Sequence, residues 1–174
     1  MKKAVIILTI IILLVVIFLV IKGLFSDQNV AKVNGETISK TTYDRQIEQS
    51  IIFFKSQKQT ISDPKTLQKD TINGLIDKSL ISQYATKHRI LVSDSEVDAR
   101  YLQIVASYNK RNSITGGGDG EFLSKIQEMY KETKSDYLLT VKEDILREKV
   151  QASVKMPLAK WLNAQKQSAK INIM

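Results

Sequence analysis

LQKDTINGLIDKSLISQYATKHRILVSDSEVD, residues 67–98, is the stretch from which the fold can be read. Just before it, Asp63 is a helix cap and Pro64 fits a first helical turn, where the missing N–H costs nothing. Leu67, Ile72, Leu75, Ile76, Leu80, Ile81, Tyr84 and Ala85 then recur at helical spacing. At about 100° per residue, the apolar positions from Ile72 to Tyr84 sweep most of the way round the cylinder. A helix so widely apolar must have neighbours on several sides. Ile90-Leu91-Val92 makes a short link, and Ser93-Asp94-Ser95-Glu96 is a capping box that starts another helix by satisfying its orphan N–H groups.

Working outward, 174 residues suffice for one domain with a sizeable core. Cysteine is absent, which excludes disulfides, thiolate metal sites and thiol chemistry. The formal charge is +8, but Lys2, Lys3 and Lys22 flank the N-terminal apolar run. Beyond Phe25, 23 Lys and Arg face 18 Asp and Glu in mixed-sign sequence. That mild excess, without a basic stripe interleaved with aromatics, argues against specific nucleic-acid binding.

Ala4 to Ile21 is 18 residues without a charge and with Thr9 alone polar. At about 1.5 Å per residue this is about 27 Å of helix, close to the hydrocarbon thickness of a bilayer. The alternative is a cleaved secretory signal, but Leu24-Phe25-Ser26 makes a poor small-x-small cleavage site. Residues 1–25 are therefore read as an uncleaved transmembrane anchor touching lipid through residues 4–21. Lys2 and Lys3 outnumber Lys22 as flanking cations, which puts the N-terminus in the cytoplasm and residues 26–174 outside it.

After a short spacer, Val30-Ala31-Lys32-Val33, Asn34-Gly35 and Glu36-Thr37-Ile38 read as a β-hairpin, because Asn-Gly supplies the positive φ angles of a type I′ turn. Two strands alone are marginal in water. Residues 169–174, AKINIM, alternate with period two and are expected to pair with the hairpin, closing the domain end to end. Between them, helices are expected over about 40–58, 64–88, 94–110, 120–132, 136–153 and 157–167, with a glycine-rich break at 112–120. In the first of these, Tyr43, Ile47, Ile51 and Phe54 form the core stripe, and Ile52 and Phe53 project more than about 100° away from it. The fold class is mostly α: one transmembrane helix, then a helical domain over 26–174 with a small sheet of hairpin plus terminal strand.

VAKVNGETIS, Ile72-Asn73-Gly74-Leu75-Ile76-Asp77, Leu80-Ile81, Ala85, Ile90-x-Val92-Ser93-Asp94-x-Glu96-Val97, Glu121-Phe122-Leu123, the helix from Tyr137 to Val150, Trp161-Leu162 and Ala169-Lys170-Ile171 together resemble the N-terminal chaperone domain of the SurA/PrsA/PpiD group of extracytoplasmic folding factors. The resemblance covers nearly everything after the anchor. Many relatives carry a parvulin prolyl-isomerase domain between the long helix and the C-terminal segment; here Val154-Lys155-Met156-Pro157 passes directly from one to the other. Gly117-Gly118-Asp119-Gly120 is similar to a parvulin motif but lies inside the chaperone-domain pattern, so a glycine-rich loop between helices is the better reading.

Other chemistry finds no support. His88, beside Lys87 and Arg89, suits the C-terminal end of a helix dipole better than acid–base or metal work. Glu143, Asp144 and Glu148 with Arg147 and Lys149 read as a solvated helix face with i, i+4 pairs rather than paired catalytic carboxylates. The glycine cluster lacks the Lys-Ser/Thr of a phosphate loop. No cofactor and no catalytic residue is assigned.

What remains is a binding surface. The resemblance implies a holdase, which needs accessible apolar side chains in a concave frame so that unfolded or newly exported polypeptides can bury their own. Ile52 and Phe53 are the first candidates, with Tyr101, Tyr108, Met129 and Tyr130 behind them. The alternatives are a non-catalytic adaptor holding one specific membrane or secreted partner and, less well supported, a prolyl isomerase.

Overall fold

Asn34 and Gly35 both adopt positive φ, 53° and 93°, and this turn sets the register of the hairpin from which the domain is built. The computed structural model describes residues 28–61 and 63–174. The element order is β1 (Asn29–Val33), β2 (Glu36–Ser39), α1 (Lys40–Ser56), α2 (Pro64–Lys87), α3 (Asp94–Arg111), α4 (Gly120–Tyr130), α5 (Lys134–Ser153), α6 (Leu158–Ser168) and β3 (Ile171–Ile173). The architecture is thus mostly helical with a three-stranded antiparallel sheet of order β2-β1-β3. Residues 170–174 close the domain as expected: Ala31 pairs with Ile173 and Val33 with Ile171. Asn34 fastens the far end of β3 twice, its N–H donating to the Lys170 carbonyl and its Oδ1 accepting from the Lys170 N–H, both at 2.9 Å.

The capping signals hold. Asp63 accepts from the Lys65 and Thr66 amides, and Ser93 with Glu96 forms the full capping box of α3. A second capping box, Thr133 with Asp136, starts α5 at Lys134, two residues earlier than expected. A charged Asp at the third position does the work usually given to Glu or Gln.

The core falls into three clusters. The main one joins Ala31, Val33 and Ile38 of the sheet to Leu75, Ile76, Leu80, Ile81 and Ala85 of α2, Val150 of α5 and Leu158, Trp161 and Leu162 of α6. Tyr101 and Val105 of α3 with Phe122 and Ile126 of α4 make the second. Val97 of α3 with Val141 and Ile145 of α5 makes the third. Helix α2 therefore has the several-sided burial that its sequence implies.

Helix α1 does not behave as its stripe predicts. None of its 17 residues is buried. Tyr43 packs against the main core, while Ile47, Ile51 and Phe54 are only half-buried. The connection from α5 to α6, where the resemblance would place an inserted domain, spans only Val154 to Pro157. Gln151 clamps this turn, donating to the Met156 carbonyl at 2.8 Å and accepting from the Leu158 N–H at 2.6 Å.

The apolar run at 4–21 lies outside the described residues. Among those described, no helix is long and apolar enough to cross a membrane.

Candidate functional site

Because α1 buries no side chain, it acts as a beam resting on supports at its ends rather than as a core element. At its start Ser39 caps the helix through the Thr42 N–H, and the Lys40 N–H donates to the Gln28 carbonyl. Towards its end Phe53 stacks on Tyr130, the last residue of α4, with ring centroids 5.8 Å apart and planes 9° from parallel. Beside that stack Gln49 Nε2 donates to Glu132 Oε1 at 2.9 Å.

Between the supports lies open space. A cavity of about 780 Å³ runs under the middle of α1, walled by Arg45, Gln49 and Ile52 above and by Leu75 of α2 and Leu139 and Glu143 of α5 below. A second, of about 600 Å³, adjoins it through Gln46, Gln49, Lys78, Tyr130, Glu132 and Thr140 and adds Phe53, Phe54, Ile126 and Tyr137. Together they form one groove with a mixed lining.

Of the sequence candidates, Ile52, Phe53 and Tyr130 come together in this groove, each half-buried. Tyr101 does not. It is 4% exposed, T-shaped against Phe122, and its hydroxyl donates to Asp119 Oδ2 at 2.6 Å, so it is a core residue. Lys134 donates to the same carboxylate oxygen at 2.7 Å and lies 4.7 Å from the centroid of the Tyr101 ring. Asp119, from the glycine-rich segment, thus serves as a structural anchor. Tyr108 is half-buried against Phe122, away from the groove, and Met129 is half-buried without lining it.

One ion pair crosses the groove wall, and a second joins α3 to α5 away from it. Lys78 bridges to Glu143 at 2.7 Å. Glu148 meets Arg100 of α3 through two hydrogen bonds, at 2.9 and 2.7 Å. These α5 carboxylates link separate helices, where the sequence suggested pairs within one. Glu132 differs: partial burial pushes its carboxyl pKa up, the neighbouring Asp136 adds to the rise, and the Gln49 amide opposes it. Asp136 itself is held low by its hydrogen bonds to Thr133.

Sequence reasoning missed Leu139, which is 61% exposed at the groove wall. The signal was there: at about 100° per residue it lies some 160° round α5 from the buried Val141. Gln49 and Glu132 are 83 positions apart, and nothing local announces their pairing.

Comparison with curated proteins finds no match. The model of the SurA-like N-terminal domain family matches residues 1–151, from the apolar run through nearly all of α5. With that match covering most of the chain and the hairpin, capped helices and propped α1 on the described residues, the chain belongs to the SurA-like N-terminal domain family.

Proposed function

We propose that this chain is a holdase: it binds unfolded or newly exported polypeptide segments in the groove under α1, outside the cytoplasmic membrane, to which residues 4–21 anchor it. Family membership supports a chaperone-like role. The observation that carries the reading is a 17-residue helix with no buried residue, spanning a groove that collects Ile52, Phe53, Tyr130 and Leu139. Apolar surface left accessible there is worth about 25 cal/mol per Å² to a client that covers it. Gln46, Gln49, Ser82 and Thr140 intersperse hydrogen-bonding groups that can serve an extended backbone without demanding one sequence. Such binding needs no bond-making group, and the chain is proposed to act without catalysis.

The test is light scattering from several unrelated, chemically unfolded clients in the presence of the full chain in lipid nanodiscs. Suppression across all of them is expected, with no acceleration of cis–trans exchange in a proline peptide. Retention of one folded partner with indifference to the unfolded clients would replace the holdase with an adaptor.

A further inference from the structure

The main sheet has two ends. At one, the Asn34–Gly35 turn is tied to Lys170. At the other, the chain enters β1 and β3 runs out: Met174 N–H donates to the Val30 carbonyl at 3.0 Å, and Lys40 N–H to that of Gln28. Ile173 and Met174, 59% and 63% exposed, therefore stand at the entry to β1. Consecutive in the extended chain, they project from opposite faces of the same end of the sheet, whereas Leu91, Leu102, Leu139 and Met156, the other large exposed apolar side chains among the described residues, stand singly along the sequence.

The register explains the exposure. Ile171 and Ile173 share the face of β3 that Val33 and Ala31 share on β1. Ile171 reaches the core, while Ile173, one pleat further, passes its rim. Folding leaves this pair uncovered at the end of the sheet where the preceding segment must arrive.

That segment limits what can cover the pair. Four residue steps separate Phe25 from Asn29, which reach at most about 14 Å when fully extended. Phe25 in turn follows the uncharged run 4–21, and an aromatic at that position suits the headgroup level. The side chain of Lys40, whose amide donates to the Gln28 carbonyl, is taken up by its pair with Asp44.

We propose that the end of the sheet bearing Ile173 and Met174 rests on the lipid surface as a second membrane contact, which fixes the domain's orientation and turns its turn-bearing end outward. The inference rests on the reading of residues 4–21 as a transmembrane anchor.

The sequence has no cysteine, so single labels can be placed cleanly in the full chain. An environment-sensitive fluorophore is attached to Met174→Cys, to Leu14→Cys within the apolar run, and to the exposed Ala106→Cys on α3. Each protein is reconstituted in phosphatidylcholine vesicles with and without brominated acyl chains. The label at 14 is expected to be quenched strongly. The label at 174 should lose roughly half its emission, as befits a side chain about 5–10 Å into the headgroup boundary. The label at 106 should not respond. Quenching at 14 with none at 174 overturns the proposal and leaves the anchor standing; no quenching at 14 overturns the anchor, and the proposal with it. A blue shift at 174 that follows protein density and ignores the brominated lipid assigns the patch to a second copy of the chain, and overturns the lipid contact.

Discussion

Phe53 and Tyr130 lie face to face, 77 positions apart in sequence, and their stack is the aromatic contact that holds the far half of α1 over the groove. Since neither ring is buried, the contact can hold the helix and still yield surface to a client. Ile52→Ser with Phe53→Ser is expected to cost about 1–2 kcal/mol, well below the roughly 3–5 kcal/mol of truncating a core aromatic. In a chain of this size the melting temperature should fall by only about 2–8 °C. Aggregation suppression should drop severalfold in the same protein. A melting temperature lowered much further would place the pair in the core and remove it from the binding surface.

The opposite behaviour is expected at Val33 and Val150, the largest side chains fully enclosed by the main cluster. Val33→Ala leaves a cavity between the sheet and α2 and should cost about 2–3 kcal/mol, read as a shifted urea midpoint with unchanged slope. Leu91→Ala, at 78% exposure, should stay within about 0.5 kcal/mol. Trp161, buried beside Tyr84, reports the transition by its emission.

Most of the frame was legible because its signals are local. Asn34-Gly35 dictates its turn, Asp63 and Ser93 dictate their caps, and the apolar periodicity of α2 dictates its burial on several sides. The closure by β3 was legible because AKINIM has the strand period and an isolated hairpin needs a partner. Helix α1 was legible as a helix but not in its packing. Tyr43, Ile47, Ile51 and Phe54 form a stripe good enough for a core, yet the neighbours supply no complete socket for it. Tyr101 shows a different limit: its place on the Val97, Tyr101, Val105 row is visible in the sequence, but the partners that enclose it, Phe122 and Tyr137 around the ring and Asp119 at the hydroxyl, come from elements 18 or more positions on.

Acid stability should centre on Glu96. A hydrogen bond from Lys149, reinforced by the Ser93 cap, lowers its pKa from 4.5 to about 2. A carboxyl depressed in the folded state binds fewer protons there than in the unfolded chain, so its stabilisation is complete above pH 4.5 and is lost as the pH falls towards 2. Glu148, held low by Arg100, acts in the same direction between the same two helices. Glu96→Gln keeps a capping side chain but removes the charge. Thermal melts should show the variant less stable than the parent at pH 7, with the difference closing between pH 4.5 and 2; a gap independent of pH would assign the effect to lost packing.

Glu132 carries the opposite sign. Its folded pKa is raised, chiefly by burial, so in the window above the ordinary carboxyl value the folded state holds more proton than the unfolded one and stability declines as the pH rises. At neutral pH the ionised side chain is therefore a cost, offset in part by the Gln49 hydrogen bond at 2.9 Å. Glu132→Gln retains an acceptor for Gln49 while removing the charge and its repulsion from Asp136. Because the carboxyl is partly hydrated, the gain is modest: a melting temperature higher by about 1–2 °C at pH 7 is expected, shrinking to nothing once both states of the parent are protonated. Gln49→Ala, which leaves Glu132 charged and without that donor, should lower the melting temperature at pH 7 and do so less in acid. If the Glu132→Gln gain survives unchanged in acid, the ionisation of Glu132 is not what strains this end of α1, and hydrogen-bond geometry alone governs how the helix is held over the groove.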